Sequence, residues 1–166
     1  MKSLKGVFAW ITCPAVLERF KEDMRIAGKI LDNNWNKPKP FTVPKQSSII
    51  VSSKIVLEEY AFDVEEDENI TQIAKWLSSN IFPQEDTYKY WREKMEKDIV
   101  ILSDDDFTEF VKTSTEEITR TRISSETGTV ESGALWTEEY LPQDTILYSI
   151  AMASPIRISY DNQDKL

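Results

Sequence analysis

The stretch TGTVESGALWTEEYLPQD, Thr127 to Asp144, places a carboxylate and a phenol two residues apart, at Glu138 and Tyr140. On an extended strand, residues that differ by two project from the same side, so these groups stand together while Glu139 and Leu141 point the other way. A phenol beside a carboxylate can orient and polarise a ribose hydroxyl or a phosphate. The carboxylate itself, with an ordinary pKa of about 4, is a weak base unless its surroundings retune it. In the preceding strand-like run, EITRTRI, Arg120 and Arg122 alternate and so share one face. Thr127-Gly128 suits a turn that needs a positive φ. Spacing alone leaves three readings open: a reactive site, a binding surface, or a hairpin with a charged face.

Other reactive side chains have simpler structural roles. Asp104 to Asp106 offer oxygens that suit a hard divalent cation, yet they follow Ser103 and precede a helical pattern, where they serve as capping and dipole-matching residues. Glu65, Glu66, Asp67 and Glu68 read as a solvated loop. Cys13 stands at a helix start, where the dipole favours a thiolate, but no base or second cysteine accompanies it. Burial as a small side chain is its simpler role. Trp10, Trp76 and Trp91 fall on core faces, so packing is their default. With no histidine in the chain, Ser-His and Cys-His nucleophile pairs and the usual zinc sites are excluded.

The 166 residues suffice for one domain with its own core, and a hydrophobic content of 40% with five tryptophans argues against disorder. No apolar run approaches the roughly 18 residues of a membrane span, and the first residues lack a signal-peptide pattern, so a soluble, cytoplasmic protein with no membrane partner is expected. The net charge of −9 is unevenly spread. Residues 1–57 hold ten Lys/Arg against four Asp/Glu, a local +6, and the remainder holds ten against 25, a local −15. A polyanion must therefore engage the first part or a local patch.

These groups need elements to position them. GVFAWIT (6–12) is β-like, and Pro14 opens a helix whose stripe is Val16, Leu17, Phe20 and Met24 and whose stop is Gly28. Residues 33–44 read as an irregular connection. SIIV (48–51) and KIVLEEY (54–60) read as two strands around Ser52 and Ser53, with AFDVEED extending the second. Ile70, Ile73, Trp76, Leu77 and Ile81 form a helical stripe ended by Pro83, and a third helix spans about 87–98. IVIL (99–102) is a buried-strand candidate, followed by a helix capped at Ser103. EITRTRI and the TVESGALWTEEYL region are strands, and TILYSIAMAS closes the structure. Strands and helices mix without strict alternation, which favours an α+β fold.

Five ordered motifs carry a family resemblance: SLKGVFAWITCP (Ser3–Pro14), IVLEEYAFDVEED (Ile55–Asp67), YWREKMEKDIVILSDDDFTEFVKTSTE (Tyr90–Glu116), TRISSETGTVESGALWTEEYLP (Thr121–Pro142) and ILYS (Ile146–Ser149). On these the chain resembles the fourth, backbone subunits of type III-B (Cmr) CRISPR effector complexes, in the RAMP superfamily. The resemblance implies an RRM-like, ferredoxin-type palm with inserted helices and a β-hairpin thumb, here at about 118–136, within a domain of 1–160 followed by a tail at 161–166. It implies guide RNA, target RNA, other Cmr subunits and copies of the chain itself as partners, with RNA contacts at Lys2, Lys5, Arg120, Arg122 and Trp136. Target-RNA cleavage in the family uses a divalent metal, Mg2+ or Mn2+, and an aspartate ahead of the SLKG motif. Glu138 and Tyr140 match its assisting glutamate and tyrosine. The sequence is expected to be the central portion of such a subunit, an incomplete palm without that aspartate that binds no metal alone. A metal-dependent endoribonuclease, or a shortened mimic that interferes with effector assembly, are the alternatives.

Overall fold

The computed structural model of the chain describes residues 1–29 and 35–153. The architecture is α+β. Its centre is a four-stranded sheet in which β3 (Trp10–Thr12) runs parallel to β8 (Ile99–Ile101), β8 pairs antiparallel with β4 (Thr42–Val43), and β4 pairs parallel with β7 (Glu65–Glu66). A second, antiparallel sheet joins β2 (Val7–Phe8), β1 (Lys2–Ser3), β5 (Lys54–Leu57) and β6 (Tyr60–Asp63) in that order. The third is a hairpin of β9 (Glu116–Ile123) and β10 (Val130–Tyr140).

Strand β8 explains why IVIL is apolar at every position. Ile99 and Ile101 join Leu17, Ile70, Ile73, Leu77 and Met95 beneath three helices, α1 (Pro14–Ile26), α2 (Glu68–Ile81) and α3 (Lys89–Lys97). Val100 and Leu102 face the other way, into a cluster with Val43, Ile55, Leu57 and Phe110, the last from α4 (Asp104–Thr113). A strand covered on both faces loses the polar alternation of a half-exposed one. Each of these side chains removed from water stabilises the fold by roughly 1.5–3 kcal/mol.

The helix ends follow their sequences. Pro14 is the first residue of α1, and Asp67 caps α2 by accepting from the Asn69 N–H at 2.8 Å. Ser103 caps α4 by accepting from the Asp106 N–H at 3.0 Å. Asp104 stands in the first turn of α4 but turns its carboxylate to α1, where it accepts from the Ala15 N–H at 2.9 Å. One side chain thus ties two helix N-termini together, and that backbone donor, followed by the Cys13 thiol, holds its carboxyl below the usual range.

Several expectations are corrected. GVFAWIT is divided between two sheets, its first part returning on β1 and its second joining β8. SIIV forms no strand beyond an isolated bridge from Val51 to Lys54, because Ser52 and Ser53 both adopt positive φ in a tight turn and Ile49 is buried by packing. KIVLEEY and AFDVEED are one hairpin, β5 returning as β6, with its turn at Glu58, φ +51°. Thr42–Val43 within 33–44 and Glu65–Glu66 within the supposed acidic loop pair with each other as strands, and residues 33–34 lie outside the described residues. TILYSIAMAS closes the described structure without a regular element over residues 145–153, and Tyr148 sets its ring 4.9 Å from that of Phe20 and donates to Asp23 Oδ2 at 2.9 Å on α1. Cys13 is buried, and burial pushes its thiol pKa up rather than down. The expected domain end at 160 and the tail at 161–166 lie outside the described residues.

The first hairpin is pinned from inside. Lys94 Nζ donates to Asp98 Oδ2 at 2.6 Å and to the Gly6 carbonyl at 2.7 Å, and lies 4.8 Å from the Phe8 ring centroid. Asp98 Oδ1 accepts from Ser48 N–H at 3.0 Å and from Ser48 Oγ at 2.6 Å. Gly6 has φ +82°, and a Cβ there would meet Ile49 Cγ2 at 2.9 Å. Lys94→Met leaves Asp98 buried without its cation, an expected loss of about 3–5 kcal/mol. Gly6→Ala should cost at least ~1 kcal/mol through its conformation and contact. Urea unfolding followed by tryptophan fluorescence measures both, and wild-type midpoints for both variants would show that the buried pair and its turn do not support the fold.

Candidate nucleic-acid interface

The β9–β10 hairpin is exposed along the whole of β9. Its end closes through Ser124, whose N–H donates to the Thr129 carbonyl and whose own carbonyl accepts from the Gly128 N–H, both at 2.9 Å, with Gly128 at φ +68°. Val130 pairs with Ile123 but Leu135 pairs with Thr121, so β10 carries a bulge between them, which includes Gly133 at φ +76°. From Leu135 to Tyr140 the register runs unbroken, with Trp136 opposite Arg120, Glu138 opposite Ile118 and Tyr140 opposite Glu116. Alternation then puts Arg120, Trp136, Glu138 and Tyr140 on one face.

These four residues form one hydrogen-bonded group. Arg120 Nε lies 2.5 Å from Glu138 Oε2, and the Tyr140 hydroxyl donates to the same oxygen. Trp136 Nε1 donates to Glu138 Oε1 at 3.1 Å. Arg120 Nη2 donates to the Tyr140 hydroxyl at 3.0 Å, with the guanidinium carbon 5.8 Å from the centre of the Tyr140 ring. The Tyr140 hydroxyl, then the Trp136 indole, and then Arg120 hold the Glu138 carboxyl below its usual range. Tyr140 and Glu138 in turn raise the Arg120 pKa. Glu138 is therefore an ionised acceptor, with less basicity than a free glutamate.

The remaining expected residues are placed elsewhere. Lys5 Nζ donates to the Ile50 carbonyl at 2.9 Å, in the turn after β1. Lys2 lines an open cleft of about 970 Å³ at the root of the hairpin, and Glu58, Glu59, Asp106, Glu109 and Glu116 line it too. That density of carboxylates repels a phosphate backbone, so the cleft is a poor seat for a nucleic acid. Arg122 stands two residues beyond Arg120 on β9, on the side that alternation gives Arg120. The family resemblance named Trp136 as an RNA contact and left out its donation to Glu138, which the two-residue spacing of Trp136 and Glu138 on β10 could have signalled.

A resident divalent ion does not suit the hairpin group. Magnesium takes oxygen ligands, commonly one or two carboxylates with substrate phosphates, whereas here a single carboxylate faces a guanidinium, a phenol and an indole N–H. Among the described residues no group of three or more Asp, Glu, Cys or His side chains converges to hold a metal. No helix among the described residues is long and apolar enough to cross a membrane.

A family profile described as the RAMP superfamily matches residues 2–164. The chain is 39% identical over 160 residues to the CRISPR system Cmr endoribonuclease Cmr4 of Pyrococcus furiosus, a match that covers 93% of this chain and 51% of that protein. It thus spans about half the length of the curated relative it matches. Among solved structures it is similar to oligomeric Cmr4 from Pyrococcus furiosus, at 34% identity and TM-score 0.56 over 69% of this chain and 44% of the other. One chain of the type III-B Cmr-β complex in its apo state shares the fold, at 18% identity and TM-score 0.54 over 85% of this chain and 46% of the other.

The lowered pKa has a sign that can be checked. Because the folded state depresses it, the stabilisation that ionised Glu138 brings to the hairpin is present above the unfolded carboxylate pKa and is lost as pH falls through the folded value. Carbon-detected NMR of the glutamate carboxyls should find Glu138 titrating below the ordinary glutamate range, with the Trp136 indole N–H resonance moving at the same midpoint. Tyr140→Phe should raise that midpoint. A Glu138 that titrates like a free glutamate contradicts the arrangement.

Proposed function

Because this chain belongs to the RAMP superfamily and is Cmr4-like along 93% of its length, we propose that it acts as a backbone subunit of a type III-B CRISPR effector. In this reading it binds guide RNA and neighbouring subunits in the cytoplasm during RNA-guided interference with target RNA. One observation carries the reading: an exposed two-stranded arm that gathers a guanidinium, an indole and a phenol on one face. A lone hairpin is marginally stable in water, and a face of this composition suits a backbone phosphate and a stacked base. The copies and Cmr subunits expected beside it, and the contacts of Lys5 and Arg122 with RNA, belong to the same reading, whereas Lys2 stands among carboxylates that disfavour a phosphate.

The test is a mobility shift with a CRISPR guide RNA at low salt, alongside co-purification with the other Cmr subunits. Binding should fall with rising salt in proportion to the phosphates neutralised. Trp136→Ala should weaken it by about 1–3 kcal/mol if one base stacks there. Absence of both RNA binding and co-purification would reject the reading.

The direct bond from Tyr140 to Glu138 favours a second reading, in which the pair assists target-RNA cleavage. Held ionised, Glu138 serves there as an acceptor that orients a donor, not as the proton-abstracting base. Among the described residues no group of three or more Asp, Glu, Cys or His side chains converges to hold a metal beside the pair, so target RNA annealed to guide should remain intact with this chain and Mg2+ or Mn2+. Regular cuts that Glu138→Gln abolishes would establish the endoribonuclease reading instead.

A further inference from the structure

Arg120 Nε, the Tyr140 hydroxyl and the Trp136 indole N–H all turn to one anion that belongs to the chain itself. Glu138 Oε2 takes Arg120 and Tyr140, and Oε1 takes Trp136. A phosphodiester presents the same pattern, one negative charge shared between two non-bridging oxygens, and Arg forms strong charge-assisted bonds with either anion. The site is open to such a ligand, since the Arg120 and Glu138 side chains are 50% and 37% exposed. Beside it the residue Trp136 is 43% exposed, with its indole N–H turned to the carboxylate. A nucleotide placing a phosphate on Arg120 and Tyr140 can therefore lay its base on the indole.

We propose that Arg120, Trp136 and Tyr140 form a phosphodiester-binding site and that the Glu138 carboxylate is its resident placeholder, a latch that an RNA phosphate must displace. This rests on the reading of the arm as an RNA-contacting element. Glu138 stands two residues from both Trp136 and Tyr140, so it competes intramolecularly at all times. Only the fraction of molecules with Glu138 swung away is competent, and the apparent affinity is lowered by that fraction. The latch keeps the arm from seizing any polyanion it meets. Only a ligand that supplies several phosphates or stacked bases at once gains enough to open it.

The experiment uses the full chain and fluorescence anisotropy with a labelled single-stranded RNA across a salt series. Glu138→Gln should bind roughly tenfold tighter than wild type, and its log-affinity against log-salt slope should steepen by about 0.7, one further phosphate neutralised on a single strand. The gain should vanish in the Arg120→Ala, Glu138→Gln double variant. Glu139→Gln, which removes an equal charge from the opposite face, should show little gain. In parallel, inorganic phosphate is titrated while the Trp136 indole N–H resonance is observed; it should shift in Glu138→Gln and not in wild type.

Wild-type binding of RNA with no gain in Glu138→Gln, or an equal gain in Glu139→Gln, overturns the latch while leaving the RNA reading intact. A phosphate-dependent shift in Glu138→Gln without RNA binding by any variant upholds the anion site and overturns the RNA reading. Neither RNA binding nor a phosphate response overturns both.

Discussion

Lys94 and Asp98 meet at 2.6 Å inside the protein, and neither charge has a place there without the other. What the pair connects gives it its importance. Lys94 comes from α3, reaches the Gly6 carbonyl at the turn between β1 and β2, and lies against Phe8; Asp98 receives both donors of Ser48 from a loop without regular structure. The apolar clusters alone would hold the helices against β8 but would not dictate where the SLKG turn sits. A buried ion pair whose remaining valences are met by backbone groups has one satisfactory geometry, and it sets the turn, the loop and the end of α3 in a single arrangement. Ser3 of β1 pairs with Leu57 of β5, so the second sheet inherits that placement.

A similar economy of charge governs the hairpin, with the opposite exposure. Arg120 and Glu138 meet where solvent can screen them, and such a pair adds little to stability by itself. Its value lies in direction. The carboxylate draws Arg120, Tyr140 and Trp136 to one point on one face, whereas Thr115 engages Glu139 on the other, at 2.6 Å. Without these cross-strand ties the exposed arm would have only its ladder to keep a defined shape.

Much of the fold was legible where local chemistry decides it. Pro14, Asp67 and Ser103 mark helix starts because a missing N–H or a side-chain acceptor solves a local problem, and Ile99 to Leu102 are all apolar because both faces of β8 are covered. What escaped depends on tertiary fit. Ser52, Ser53 and Glu58 take positive φ, a conformation for which sequence reasoning seeks glycine or asparagine. The buried Ile49 carries a strand-like residue type in a turn. Asp104 was rightly read as a capping residue, but its carboxylate serves α1 across the sequence and not its own helix.

The candidate site divides along the same line. Glu138 beside Tyr140, and Arg120 as a surface cation, follow from period-two spacing within each strand. That Arg120 lies across from Trp136, and so reaches Glu138 and Tyr140, follows only from the bulge that resets β10 between Val130 and Leu135. Shift the register by one residue and Glu139 would face Arg120 while Glu138, Tyr140 and Trp136 moved to the other side. The bulge is thus as much a part of the site as the residues that touch. Under the proposed latch it also explains how the acidic part of the chain would take an anion: three donors brought to one face create a local field that net charge does not describe.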